Sequence, residues 1–295
     1  MDNLELPNAS STSMESPITK PLYFGKGLVY ALTILFAQLL VGGIVLGVGV
    51  VALGLGEEMQ QGDLTLAIQE KLTNLIMAIA LPGSFLLAVL ILLRRRKLAP
   101  TAFQWQPVFF KLIPLGLLML FGLDYILGEL MTLLPNYEQM LADYQTMFAG
   151  IDMIYLFIGG VIVGPICEEI IFRGIIEEGF LQTYSPNKAI LFSALIFGGI
   201  HLVPLQVLSA FLAGLLLGWI YWKTRSLWIV MILHIINNYI AFSFTDFDTH
   251  SAKDLFPNEL LYYGSFGVAL LLMYGAYVLF DKSLKRSKRS DRQLL

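Results

Sequence analysis

The stretch 151–174, IDMIYLFIGGVIVGPICEEIIFRG, decides the fold of this chain. A helix needs about 20 mostly apolar residues to cross the hydrocarbon core of a bilayer, and this stretch meets that length. It nevertheless holds Glu168, Glu169 and Arg173 within six residues. Ionisable side chains inside a membrane span cost a few kcal/mol each, so they are rare and usually functional. The stretch therefore predicts a membrane-spanning helix that carries a functional site.

The composition of the whole chain is that of a membrane protein. Of its 295 residues, 57% are hydrophobic and only 14% are charged, whereas a soluble globular protein carries about 25% charged residues. Lipid makes this composition reasonable, because apolar side chains in a bilayer need not be buried against protein. The net charge of -3 gives no reason to expect a nucleic-acid partner. The single cysteine, Cys167, excludes an intrachain disulfide and a thiolate metal cluster.

Outward from residues 151–174, the same length rule predicts an all-α, polytopic transmembrane helix bundle of about eight spans. The fifth and sixth predicted spans are short and are separated only by a turn at Pro204. The predicted spans cover residues 27–54, 73–93, 108–134, 151–174, 189–203, 205–222, 227–244 and 260–280.

The distribution of basic residues predicts the orientation, because cytoplasmic loops of membrane proteins are enriched in Lys and Arg. With both termini cytoplasmic and eight spans, 16 of the 19 basic residues fall on the inner side. Lys71 and Lys253 fall outside, and Arg173 lies within the membrane. We therefore expect a multi-pass protein of the cell membrane with both termini in the cytoplasm.

The chain divides into five parts by the same criteria. The predicted parts are a disordered cytoplasmic tail (1–22), N-terminal transmembrane helices (23–150), a helix core that holds the polar residues within the membrane (151–244), an outer loop with the last transmembrane helix (245–282) and a basic cytoplasmic tail (283–295). For the segment from Asn136 to Gly150 we expect a loop or a surface helix outside the membrane. His250 falls in the acidic outer loop, where we expect it to be solvated.

The glutamate pair in the fourth span favours a division of roles. Glu169 and Arg173 are four residues apart, so they share a helix face and can form an ion pair. Glu168 lies about 100° further around the helix and can face a different neighbour. A carboxylate left free of the ion pair suits a general base. Pro165 and the glycines before it permit a kink in the same helix.

Two further spans place polar side chains in the membrane at helical spacing. Phe197 and His201 share one helix face, and His234 and Asn238 share another. Because no partnered serine or cysteine nucleophile stands in a recognisable motif, water is the natural nucleophile for a set of Glu, His and Asn. The same residues leave a metal site open, with Glu168, His201 and His234 as ligands of a divalent ion such as zinc. No HExxH spacing supports that alternative.

The other polar residues and a glycine pair in or near the spans have structural interpretations that need no catalytic role. For Asp124 and Glu129, a hydrogen bond between helices is as good an interpretation as a cavity lining. For Glu177 and Glu178 we expect a solvated position at the inner interface. Gly214 and Gly218 form a GxxxG pattern, which is typical of helix packing.

The three motifs together resemble a known family. Glu168-Glu169-x-x-x-Arg173, Phe197-x-x-x-His201 and His234-x-x-x-Asn238 occur in the order found in the CPBP intramembrane protease family. This is the group of type II CAAX prenyl endopeptidases and ABI, or bacteriocin-immunity-like, proteins. The resemblance covers about residues 151–244.

The resemblance implies an intramembrane endopeptidase whose motif residues meet in a cavity that opens toward the cytoplasmic side. It implies that Glu168 and His201 activate water, and that His234 and Asn238 form the oxyanion hole. Glu169 and Arg173 would have a supporting part in the site, as would Phe197. The expected partners are the lipid bilayer and a membrane-associated or prenylated protein or peptide substrate.

Two other functions are compatible with the same residues. A non-catalytic membrane regulator or bacteriocin self-immunity protein would use the motif as a structural polar core. A proton-coupled transporter would use buried Glu, Arg and His as an ion relay, although the sequence shows no convincing internal repeat.

Overall fold

The structure is a computed structural model that describes residues 21–54, 66–98, 103–106, 110–148, 151–243 and 252–293. Regular structure in these ranges is helical, apart from one β-bridge between Trp105 and Ser226. The helices are α1 (Phe24–Ala52), α2 (Leu66–Leu75, the π-helical turn Ile76–Ala80 and Leu81–Arg96), α3 (Leu112–Met131), α4 (Tyr137–Phe148), α5 (Met153–Leu181), α6 (Pro186–Gly199), α7 (Pro204–Thr224), α8 (Leu227–Ser243) and α9 (Glu259–Gln293).

The prediction of an all-α polytopic membrane bundle is confirmed. Among the described residues, six helices are long and apolar enough to cross a membrane, namely α1, α2, α3, α5, α7 and α9. The other two predicted spans are the shorter helices α6, with 14 residues, and α8, with 17. The sixth span, predicted to be short, is a 21-residue helix that begins at Pro204. Proline suits that position because the first turn of a helix has no partner for the missing N–H.

The helix ends and connections lie at two opposite ends of the bundle, and these two ends differ in charge. We call one the basic end. It contains the chain around Leu22, the end of α2 at Arg94–Lys97, residues 179–188 and the connection between α7 and α8 at Arg225. The opposite end contains α4, the start of α5 at Asp152 and the turn between α6 and α7 at residues 200–203.

Several features differ from the sequence-based expectations at the borders of the bundle. Leu22, assigned to the disordered tail, is fully buried, and its N–H donates to the carbonyl oxygen of Gly179 at 3.0 Å. The surface helix expected after Asn136 is α4, which packs with Tyr144 against Leu205. The last helix extends to Gln293, so its backbone continues through most of the predicted basic tail. His250 and residues 1–20 lie outside the described residues.

Candidate active site

Helix α5 carries the glutamate pair on a short α-helical segment, Gly164–Glu169, between two π-helical segments. The segment Phe157–Val163 precedes it and Ile170–Glu177 follows it. Pro165 explains the first irregularity, because proline cannot donate a hydrogen bond to the preceding turn. Single π-helical turns are frequent at functional sites, where they rotate side chains out of the regular helical register.

Glu169 is the centre of a buried ionic contact. Its side chain is completely buried, and its Oε1 lies 3.1 Å from Nη1 of Arg173, the expected partner one turn along the helix. The same oxygen lies 2.8 Å from Nδ1 of His234 on α8. An ionised carboxylate only accepts hydrogen bonds, so Nδ1–H of His234 is the donor. One carboxylate thus binds a guanidinium and an imidazole from two helices.

Arg173 is held on three sides, which fixes the position of Glu169. Its Nη2–H donates to the carbonyl oxygen of Gly214 on α7 at 3.2 Å. Its guanidinium carbon lies 4.9 Å from the centre of the Phe197 ring, at the distance of a cation–π contact. A Cβ on Gly214 would lie 3.1 Å from a ring carbon of Phe197, so the missing side chain permits this close approach. The packing role expected for Gly214 is confirmed.

Glu168 faces the second nitrogen of the same histidine. Its Oε2 lies 3.7 Å from Nε2 of His234, which is too far for a direct hydrogen bond. A water oxygen can lie within hydrogen-bonding distance of both atoms at that separation. The Glu168 side chain is 13% exposed, in contrast to Glu169 at 0%. The two adjacent acids therefore have different environments, as their positions around the helix predicted.

His201 adjoins this group through Phe197. Its Nδ1–H donates to the carbonyl oxygen of Phe197 at 2.8 Å, which leaves Nε2 as the acceptor of the neutral ring. The Phe197 ring makes edge contacts with both imidazoles, with ring centres 4.9 Å from His201 and 6.0 Å from His234. His201 therefore adjoins the group through a ring that also contacts His234.

Asn238 closes the other side of the site. Its Nδ2 donates one hydrogen to the carbonyl oxygen of Gly160 at 3.0 Å, in the first π-helical segment of α5. A side-chain amide has two N–H groups, so the second remains available to a ligand. The structure thus brings Glu168, Glu169, Arg173 and His234 into one group, with His201 and Asn238 on its borders.

The possible metal ligands do not fit together as a site. Glu168, His201 and His234 would have to converge on one ion, but Glu169 occupies Nδ1 of His234 and the Phe197 carbonyl oxygen occupies Nδ1 of His201. In the part of the chain that the structure describes, no group of three or more His, Cys, Asp or Glu side chains is arranged to hold a metal ion. We derive no chemical step through a metal.

The expectation for Glu177 and Glu178 was wrong, because both side chains are fully buried. Helix α5 continues to Leu181 instead of ending near residue 174, so both acids lie within it. Glu178 accepts hydrogen bonds from Tyr221 at 3.0 Å and from Arg225 at 2.5 Å. The signal in the sequence was Arg225, a cation just beyond the end of a span and therefore close to these acids.

The polar residues of α3 have partners on other helices. Glu129 accepts a hydrogen bond from the Tyr262 hydroxyl of α9 at 2.7 Å, as expected for a contact between helices. Asp124 interacts with Asn237, which is next to the motif residue Asn238. Asp124 also lies close enough to His234 for an electrostatic interaction. No motif marked Asp124 as a neighbour of the site.

Comparisons with known proteins agree with the motifs. Residues 150–240 match the family described as Rce1-like, type II CAAX prenyl endopeptidase. The chain is also 35% identical over 77 residues to "Putative membrane peptidase YdiL" of Bacillus subtilis (strain 168). That match covers 26% of this chain and 32% of the relative, so it spans about a third of the relative's length. No solved structure matches the chain significantly. The resemblance inferred from the three motifs is confirmed.

Proposed function

We propose that this multi-pass membrane protein, whose residues 150–240 have the features of the Rce1-like family of type II CAAX prenyl endopeptidases, is an intramembrane endopeptidase. The observation that carries the proposal is the pair of contacts that His234 makes with Glu169 and Glu168, at 2.8 Å and 3.7 Å. A histidine between one fixed and one freer carboxylate is suited to proton transfer. Both carboxylates lie in a helix long enough to cross the membrane.

In the proposed reaction, Glu168 removes a proton from water while the water oxygen attacks the carbonyl carbon of the scissile peptide bond. The C–N bond then breaks, and the proton on Glu168 moves to the leaving nitrogen. The products are a free carboxyl group and a free amine, so water is consumed and no other reactant is needed. His201 supports the water through the lone pair on its Nε2.

The developing oxyanion requires hydrogen-bond donors. Nε2 of His234 is positioned to supply one, because the contact between Nδ1 and Glu169 Oε1 fixes the orientation of the ring. The second N–H of the Asn238 amide supplies the other. Such donors are most effective where little water competes with them, as in this membrane-embedded site. Arg173 balances the Glu169 charge throughout, which makes it a positioning residue.

The proposed topology has both termini in the cytoplasm, which would place the basic end on the cytoplasmic side. The support is the enrichment of Lys and Arg at that end. The proposed substrate is a membrane-associated polypeptide. A prenylated protein is the variant that the family description suggests.

Replacing Glu168 with Gln tests the proposal. This change removes the base but keeps the size of the side chain, so we expect the cleavage product to disappear while the protein still folds and inserts. The measurement is a proteomic comparison of membranes carrying wild-type or Glu168→Gln protein. The matched control is Glu129→Gln, which alters a buried carboxylate bonded to Tyr262 outside the site and should retain cleavage. Wild-type cleavage by Glu168→Gln protein would refute the assigned base.

A further inference from the structure

The two glycines of the GxxxG pattern in α7 each lie against a polar side chain of α5. The carbonyl oxygen of Gly214 accepts a hydrogen bond from Nη2 of Arg173 at 3.2 Å. Four residues later in α7, a Cβ on Gly218 would lie only 2.7 Å from Oε2 of Glu177. Glu177 is likewise four residues after Arg173 in α5. The glycine pair therefore makes room for an arginine and a glutamate, as well as for close packing between the two helices.

Glu177 is buried without a hydrogen bond. Its side chain has no exposed surface, and neither of its carboxyl oxygens has a hydrogen-bond partner among the residues that the structure describes. The nearest side chain of α6 at Gly218 is apolar, since a methyl carbon of Ile190 lies 3.2 Å from the same Cβ position. An ionised carboxylate that accepts no hydrogen bond is strongly disfavoured in such surroundings, and the group takes up a proton instead.

The arginines close to Glu177 are bonded to other carboxylates. Arg173 lies with its Nη1 3.1 Å from Oε1 of Glu169, and Arg225 donates a hydrogen bond to Oε1 of Glu178. Both arginines are near enough to Glu177 for an electrostatic interaction, and so are Glu169 and Glu178, which repel a second negative charge. The two ion pairs therefore leave Glu177 as an acid without a bonded cation in the described part of the bundle.

Two further ionisable side chains pack near this part of α5. The hydroxyl group of Tyr221 in α7 donates to Glu178 at 3.0 Å. Arg96 of α2 is buried nearer the basic end, where its Nη2 lies 3.0 Å from the position of a Cβ on Gly179. Neither side chain makes a hydrogen bond with the carboxyl group of Glu177.

We propose that Glu177 binds a proton in the interior of the bundle, and that this proton leaves the charge of Arg173 to Glu169. The inference goes beyond the proposed function, because the proton is held whether or not the chain cleaves a peptide. It bears on the site because an ionised Glu177 would compete with Glu169 for one guanidinium. Glu169 is the residue that holds Nδ1 of His234, so the proton on Glu177 helps to keep the proposed site assembled.

Infrared difference spectroscopy detects this proton directly. A protonated carboxyl group has a carbonyl band separate from the bands of a carboxylate, and isotope-labelled glutamate identifies the band as that of a glutamic acid. At neutral pH we expect the wild-type protein to show such a band and Glu177→Gln to lose it. The matched control is Glu138→Gln, which changes an exposed glutamate of α4 and should keep the band. A band that persists in Glu177→Gln, or no such band in the wild type, would overturn the proposal.

The pH dependence of unfolding tests the same proton by a second route. In the unfolded chain Glu177 releases its proton near the ordinary glutamate pKa of about 4.3, so above that pH the folded state binds one proton more than the unfolded state. Stability from this proton is therefore lost as the pH rises, and the unfolding constant gains up to about tenfold per pH unit. Between about pH 5.5 and about pH 7.5, it should rise up to about a hundredfold more in the wild type than in Glu177→Gln.

Titration with a denaturing detergent measures these unfolding constants, with Glu138→Gln expected to follow the wild type. Equal pH dependence of the wild type and Glu177→Gln would contradict the proposal. Glutamine has the size of a protonated glutamate and no charge, so Glu177→Gln should fold. A variant that failed to fold would also overturn the proposal, since it would show that the negative charge is needed. Neither measurement requires cleavage, so both outcomes are independent of the Glu168→Gln test.

Discussion

At the scale of single residues, the most informative contrast is between Glu168 and Glu169. They are adjacent in sequence, yet Glu169 is fully buried between Arg173 and His234, whereas Glu168 is partly exposed and faces His234. A helix turns about 100° between neighbouring residues, which is enough to give two identical side chains different partners. One acid therefore holds the site together, and the other is available for chemistry.

This contrast predicts that the same substitution, Glu to Gln, affects stability strongly at Glu169 and little at Glu168. Glu169→Gln should destabilise the protein by roughly 3–5 kcal/mol, because it leaves the buried Arg173 charge without its partner. Thermal unfolding in detergent measures the loss, with Glu168→Gln as the matched control of nearly wild-type stability. The double variant Glu169→Gln/Arg173→Met should recover most of the stability and remain inactive. Equal stability of the two single variants would contradict the assigned ion pair.

At the scale of helices, close packing between α6 and α7 positions His201. A Cβ on Gly198 would lie 2.8 Å from the carbonyl oxygen of Val207 and 2.8 Å from Cβ of Phe211, so the two helices touch at this glycine. The next residue, Gly199, has no neighbour within 4 Å of the same position. His201 follows two residues later, at the start of the turn. The helix crossing therefore depends on one glycine and not on its neighbour.

Substituting these neighbouring glycines separates packing from backbone effects. Gly198→Ala should lower stability by roughly 1–3 kcal/mol, because an added methyl group in a packed contact forces the backbones apart. It should also reduce cleavage, since His201 moves with α6. Gly199→Ala is the matched control and should leave both nearly unchanged. Thermal unfolding and product yield are the measurements, and similar losses in both variants would argue against the close helix contact.

At the scale of the whole molecule, distant segments pack together at the basic end of the bundle, where every residue of α5 from 171 to 180 is buried. The basic end depends on a fully buried acid, Glu178, held by Tyr221 and Arg225. Burial alone would lower the pKa of Arg225, but the adjacent Glu178 carboxylate raises it overall. Lys223 pairs instead with Asp281 nearer the surface, at 3.1 Å.

These two cations give a prediction for the basic end. Arg225→Ala should destabilise the protein by roughly 3–5 kcal/mol, because it leaves Glu178 buried without its cation. Lys223→Ala also removes one positive charge, but this charge belongs to the partly exposed pair with Asp281. The change should lower stability by about 1 kcal/mol or less. Thermal unfolding in detergent compares the two variants. A loss at Lys223 as large as that at Arg225 would contradict the assigned roles.

The sequence by itself determined the class of the protein and predicted the residues of its site. Apolar runs of membrane length predict helices because lipid leaves no other partner for the backbone. The spacing of Glu169 and Arg173 was enough to predict their ion pair, because both lie on one helix. The three motifs likewise predict His201, His234 and Asn238 as site residues, and both their place in a site and their catalytic roles stay predictions.

Only the tertiary structure decided which side chains from different helices meet. Sequence spacing carries no information about contacts between helices, so it could not show that His234 binds Glu169 and faces Glu168, or that the Phe197 ring contacts both imidazoles. Sequence-based reasoning also placed Glu177 and Glu178 wrongly. The reason is that a helix face packed against protein and a helix face exposed to lipid are both apolar in sequence. The packing at the basic end joins distant segments, and for that physical reason it emerged only from the folded bundle.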